Sequence, residues 1–170
     1  MKIQHITFIS FILLLCSINI LLAQSTVLQK GTLIANGVTY DVQISEKHQF
    51  IFIDDNSIFG KVEKLISSDK EATSFPETNI KINKEKLLII KRKFFPKAQN
   101  QVNIQLSINV REGKLIGLNY ILPKSPLLTK DQFKSFDAQI KELLTFELIY
   151  NNYLRKQKLD GWVMTSVILR

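Results

Sequence analysis

The chain has 170 residues, a formal net charge of +8, 45% hydrophobic residues, one cysteine and two histidines. That length supports one domain with a full hydrophobic core. One cysteine excludes an internal disulfide framework, two histidines exclude a His-rich metal centre, and the six glycines form no phosphate-cradling loop.

The first predicted element is a targeting segment. Residues Ile6 to Leu22 carry no charge, follow Lys2, and meet the small residue Ala23 and the polar Gln24. These are the parts of a secretory signal peptide, with removal expected after Ala23. The run is also long enough to span a bilayer, so a retained anchor is the alternative. Leu15, before Cys16, is too large for the small position of a lipobox. Residues 1–23 are therefore read as signal peptide and residues 24–170 as a single α+β domain, with His48 as its one imidazole. Its stability must come from packing, and its location is periplasmic, outer-envelope-associated or secreted.

Residues 24–66 read as an antiparallel β-meander. Asn36 and Gly37 stand between two strand-like runs and both tolerate positive φ, which predicts a two-residue hairpin turn. Tyr40, Val42 and Ile44 share one face by the period of two. The run from Gln49 to Asp54 is apolar on both faces and predicts a strand interior to the sheet. Phe59 to Ile66 extends the meander. His48 is read as a surface or strand-edge residue. Asp54 to Asn56 lacks the glycine and distal glutamate of a calcium loop and is read as a turn. Residues 67–79 are polar, aperiodic and contain Pro76, which predicts a long loop.

In residues 80–170 the pattern changes. Leu87, Ile90 and Phe94 recur at helical spacing behind Asn83 as cap, and Pro96 stops the helix. Between Lys81 and Lys97 seven cations accompany one acid, Glu85. One reading makes Lys91, Arg92 and Lys93 the solvated last turn of a helix, where cations complement the carbonyl end of the dipole, with Phe94 and Phe95 in the core. The other makes Lys91, Arg92, Lys93 and Lys97 a docking patch for anionic lipid or acidic glycan. Nucleic acid is not an expected partner of an exported chain.

Val102, Ile104, Leu106, Ile108 and Val110 alternate with Asn103, Gln105, Ser107 and Asn109, the pattern of a strand with one buried face. Gly113 turns it into a second strand in which Ile116, Leu118, Tyr120 and Leu122 share a face. Thr129 and Gln132 have the spacing of a capping box, and Phe133, Phe136, Ile140, Leu143 and Leu144 form an apolar helical stripe. Ile104, Leu106, Ile108, Phe136 and Ile140 are expected to be buried together. Near Thr145 the pattern slackens into a short strand or a frayed helix end. Trp162 to Leu169, apolar on both faces, is the last strand. It carries Val163, Thr165 and Val167 and is expected to supply a sheet edge for binding.

Phe95, Pro96 and Ala98 before an alternating strand, the Gly113 turn, the Phe133-to-Leu144 helix and the closing strand together resemble the C-terminal domain of TonB-like envelope proteins, over residues 94–169. The resemblance implies an α-β-β-α-β half with a helix packed on an antiparallel sheet, and recognition of a protein or peptide on an exposed sheet edge. The chain has no Pro-rich linker of the kind an energy transducer needs to cross the periplasm.

There is no G-x-S-x-G elbow and no cysteine nucleophile after position 23, so no catalytic residue, metal ligand or cofactor is assigned. The expectation is a non-enzymatic, exported binding protein for an envelope protein or peptide. The alternative is polyanion binding through the segment Lys81 to Lys97. A carboxylate-dependent glycan or wall hydrolase stands third, because any fold can bring two acids together.

Overall fold

The computed structural model describes residues 26–58, 60–61, 79–97, 99–110, 112–149 and 162–170. The expected signal peptide, most of the expected polar loop and Ala98 lie outside the described residues, as do Phe59 and residues 62–66. The elements in chain order are β1 (Gly31–Ala35), β2 (Val38–Ser45), β3 (Phe50–Asp55), β4 (Asn79–Ile82), α1 (Lys84–Phe94), β5 (Val102–Asn109), β6 (Lys114–Pro123), α2 (Lys130–Leu143), β7 (Phe146–Ile149) and β8 (Trp162–Leu169). Six strands form one antiparallel sheet in the order β1-β2-β3-β6-β5-β8, and β4 pairs with β7 in a second, two-stranded sheet. The fold is α+β, as the sequence implies.

The meander follows from its turn chemistry. Asn36 at φ 50° and Gly37 at φ 77° join β1 to β2 through two residues of positive φ, the backbone twist that a tight hairpin requires. β3 lies between β2 and β6, the interior place its two apolar faces predict. On one face of the sheet Tyr40, Val42, Ile51, Ile53, Ile104, Leu106, Tyr120 and Leu122 are fully buried.

The helices cover that face. Asn83 caps α1 by accepting from the Lys86 amide at 3.3 Å. Thr129 and Gln132 cap α2 reciprocally, at 3.2 and 2.9 Å. These bonds satisfy amides that a helix start leaves unpaired. Phe133, Phe136 and Ile140 are then buried against the strands. The Phe133 ring meets Tyr40 and Tyr120 edge-on at 5.5 and 5.6 Å, and Phe94 and Phe95 meet Phe136 at 5.4 and 5.7 Å. Each such pair contributes about 0.5–1.5 kcal/mol beyond area burial. All five residues expected to share the core are fully buried.

Three features depart from the sequence reading. Asn79 begins a strand rather than ending a loop, and β4 pairs with β7, so the segment after Thr145 is strand. Four residues are too few for periodicity to announce them. A register shift between Ser107 and Ile108 sets Ile108 opposite Leu115, so Leu115 rather than Ile116 continues the core face of β6. Ser57, Ile58, Gly60 and Lys61 are helical, so the meander stops at β3. Ile58 folds over Gly117, where a Cβ would lie 2.6 Å from Ile58 Cγ1 and 2.5 Å from Asp55 Oδ2.

Candidate binding edge

β8 closes one side of the large sheet. It pairs with β5 from Val102 opposite Leu169 to Asn109 opposite Trp162, and among the described residues no strand pairs with its other side. Such an edge presents a row of backbone donors and acceptors to solvent. Val163, Thr165 and Val167, named from the sequence, stand opposite Ile108, Leu106 and Ile104. Val167 is buried and Val163 packs against the core. These side chains thus anchor the strand, and a partner would meet its backbone instead. The outward side chains are Met164, Ser166 and Ile168, with Met164 56% and Ile168 44% exposed.

Two shallow depressions flank this edge. One, of about 520 Å³, lies between β8 and the start of α1 and is lined by Lys84, Leu88, Ser166, Ile168, Leu169 and Arg170. The other, of about 360 Å³, lies on the sheet face opposite the helices, among His48, Phe50, Phe52, Asn103, Ile121 and Ile168. His48 is exposed at its rim, where the sequence put it. The second depression was not anticipated. Its signal was present in the alternation, since Phe50, Phe52, Ile121 and Ile168 occupy positions where a half-solvated sheet carries polar residues.

The basic segment loses one of its cations to the interior. Lys91 is 3% exposed and its Nζ donates to the Lys97 carbonyl at 3.3 Å, so the solvated last turn expected of it is not what forms. The helix turns Lys91 inward beside Leu87 and Ile90, and its long stem packs while the ammonium finds a backbone acceptor. Lys93 donates to Gln139 Oε1 at 3.0 Å and lies 5.4 Å from the centre of the Phe94 ring. Arg92, Lys93 and Lys97 remain exposed. Phe95 is fully buried and Phe94 half-buried, as expected of core residues.

A polar cluster inside the fold went unforeseen. Asp137 on α2 is fully buried and accepts from Tyr40 Oη at 2.8 Å, Tyr120 Oη at 2.6 Å, Lys141 Nζ at 2.8 Å and Asn36 Nδ2 at 2.8 Å. Burial first, then the charge of Asp137 and its hydrogen bond, push both tyrosine hydroxyls well above their usual range. Four donors around one carboxylate leave no site for a reactant, so the cluster ties α2 to the β1–β2 hairpin. At the end of β3, Asp55 accepts from the amide and hydroxyl of Ser57 at 2.8 and 2.6 Å, the turn expected there. Asp54 is raised above the ordinary carboxylate value by partial burial and then by Asp41, its partner across β2. Among the described residues no group of three or more His, Cys, Asp or Glu side chains is placed to hold a metal ion. No described helix is long and apolar enough to cross a membrane.

Fold and site together define an open-faced antiparallel sheet, helices on one side, with a terminal strand available for pairing. No family model matches the chain, and no curated protein does. Among solved structures it is similar to a DUF5043 family protein from Bacteroides uniformis ATCC 8492, at 15% identity over 85% of this chain and 88% of that one, with a TM-score of 0.52. At that identity the likeness shows a shared fold and nothing of activity.

Proposed function

We propose that the protein is an exported, non-enzymatic binding protein that takes an extended segment of a protein partner as an added strand along β8. The observation that carries this reading is the place of β8, sheet-paired on one side only among the described residues, with Met164 and Ile168 exposed on its outward face. Strand addition draws affinity from backbone hydrogen bonds and specificity from alternate side chains. The TonB-like resemblance implies edge recognition, and the order on which it rests, helix, hairpin, helix and closing strand, is present with β7 inserted before β8. Burial of Lys91 weighs against the polyanion alternative, since it removes one of its four cations.

The test is capture of partner from the envelope fraction by tagged protein covering residues 24–170. Neighbouring residues of an antiparallel strand alternate between pairing inward and facing the free side. Of Thr165→Pro and Ser166→Pro, one therefore breaks the ladder to β5 and the other blocks only the edge. The expected result is that the variant that stays folded loses capture. Capture should survive high salt and the combined Arg92→Gln, Lys93→Gln and Lys97→Gln variant. Loss with the glutamines and with salt, but not with proline, would hand the function to the basic segment. Export itself is checked by intact mass, which should place Gln24 at the mature N-terminus.

A further inference from the structure

We infer that β8 also pairs with the β8 of a second copy of this chain, antiparallel about a two-fold axis at Ser166. The inference rests on the strand-addition reading and goes beyond it by naming a partner that the edge itself specifies.

Edge strands are ordinarily blunted by charge, proline, a bulge or shortness. β8 has none of these. Its eight residues include no charged side chain and no proline, and it runs beside β5 without a register shift. The opposite edge, β1, is five residues long, and Asn36 just beyond it donates to the Lys134 carbonyl of α2. The depression between β8 and α1 follows the unpaired flank of β8, since Ser166 and Ile168 line it from the open face and Leu169 from the helix face. It is open along the line that a further strand would take.

Side chains set the register. Residues directly opposite one another share a face, so pairing even positions with even positions keeps the helices of both copies on one side. With the axis at Ser166, Met164 faces the second copy's Ile168, and Ile168 faces its Met164. The exposed apolar side chains of the strand thereby cover each other twice. On the helix side Val163 meets Leu169 and Thr165 meets Val167. Arg170 comes beside Trp162, where a guanidinium over an indole ring is favourable. Moving the axis to Thr165 sets Met164 against Ser166 and loses the match. The two Arg170 charges stand about 27 Å apart along the strands. That is well beyond the Debye length of about 8 Å, so they do not oppose the pair.

Eight residues from each copy fall short of the roughly 20–30 a side that a standard interface uses. The pair is therefore weak and reversible, a resting form in which a captured segment displaces one copy.

The experiment uses the exported protein, which lacks Cys16 and so has no cysteine of its own. Sedimentation equilibrium should show monomer and dimer exchanging in the micromolar range, with the emission of Trp162, the chain's only tryptophan, shifting in step. Met164→Lys should weaken the dimer about tenfold. Its urea midpoint should stay unchanged, because that side chain is exposed. Under mild oxidation Ser166→Cys should link two copies, since that position opposes itself. The equally exposed Met164→Cys should not, because its counterpart lies about 14 Å along the strand, outside disulfide reach. A monomer at every concentration, equal linking by Met164→Cys, or linking through Thr165→Cys in place of Ser166→Cys overturns the inference. A dimer that Met164→Lys leaves intact uses another surface, with the same consequence. If the protein is monomeric while the edge proline abolishes capture, self-pairing falls and strand addition stands. If copies link through Ser166→Cys while capture survives that proline, self-pairing stands and strand addition of another protein falls.

Discussion

Asp137 is the residue on which most of the fold's buried polarity converges. Replacing it by leucine strands the hydroxyls of Tyr40 and Tyr120 and the ammonium of Lys141, and should cost about 3–5 kcal/mol. Tyr40→Phe leaves the carboxylate with Tyr120, Lys141 and Asn36, and should cost only about 1 kcal/mol. Urea midpoints of the two variants give the comparison, and equal losses would refute the convergence. The same cluster sets an alkaline limit. Both tyrosines are held protonated in the fold, whereas the unfolded chain ionises them near pH 10. Their contribution is therefore whole below about pH 10 and is lost as pH rises beyond it. Urea midpoints should fall steeply in that range, and less steeply for Tyr40→Phe. None of this was legible in the sequence. Asp137 and Lys141 are an ordinary i, i+4 pair on paper, and only the tertiary meeting of α2 with β2 and β6 turns one of them inward.

At the scale of elements, the capping residues, the Asn36-Gly37 turn and the alternation of β5 were legible, because each is a local rule with a fixed spacing. The bulge in β6 was not, since one extra residue, Ile116, changes no composition and shows only when β5 is laid alongside. Its neighbourhood is tight. Gly117→Ala would drive a methyl group into Asp55 and Ile58, and should cost about 1–3 kcal/mol through overpacking. Chemical denaturation checks this, and an unchanged midpoint would mean that Ile58 moves aside freely. The basic segment was half legible. Helical spacing located α1, but seven cations in one stretch hid the fact that Lys91 occupies the same inward face as Leu87 and Ile90.

For the whole molecule, stability rests on two layers meeting once. The alternating face of β5 and the stripe of α2 need each other, so Leu106→Ala and Phe136→Ala should each cost about 2–5 kcal/mol, read from urea midpoints. Midpoints like the unaltered protein's would put the core elsewhere. The site was legible as a strand and not as a surface, because sequence cannot tell which of two apolar faces the helices will take. One consequence of the sheet order concerns time rather than structure. Each of β1–β2, β2–β3 and β5–β6 joins strands that follow one another closely along the chain, whereas Val102 must wait for Leu169. Loop closure of that span is repaid late, so β8 docks after these hairpins have formed, as does β3 on β6 across the similar span from Phe50 to Pro123. Until β8 docks, β5 is the edge, with Ile104 and Leu106 only half enclosed. A partner present as the chain emerges thus competes with the protein's own C-terminal strand, and order of arrival decides which edge it finds.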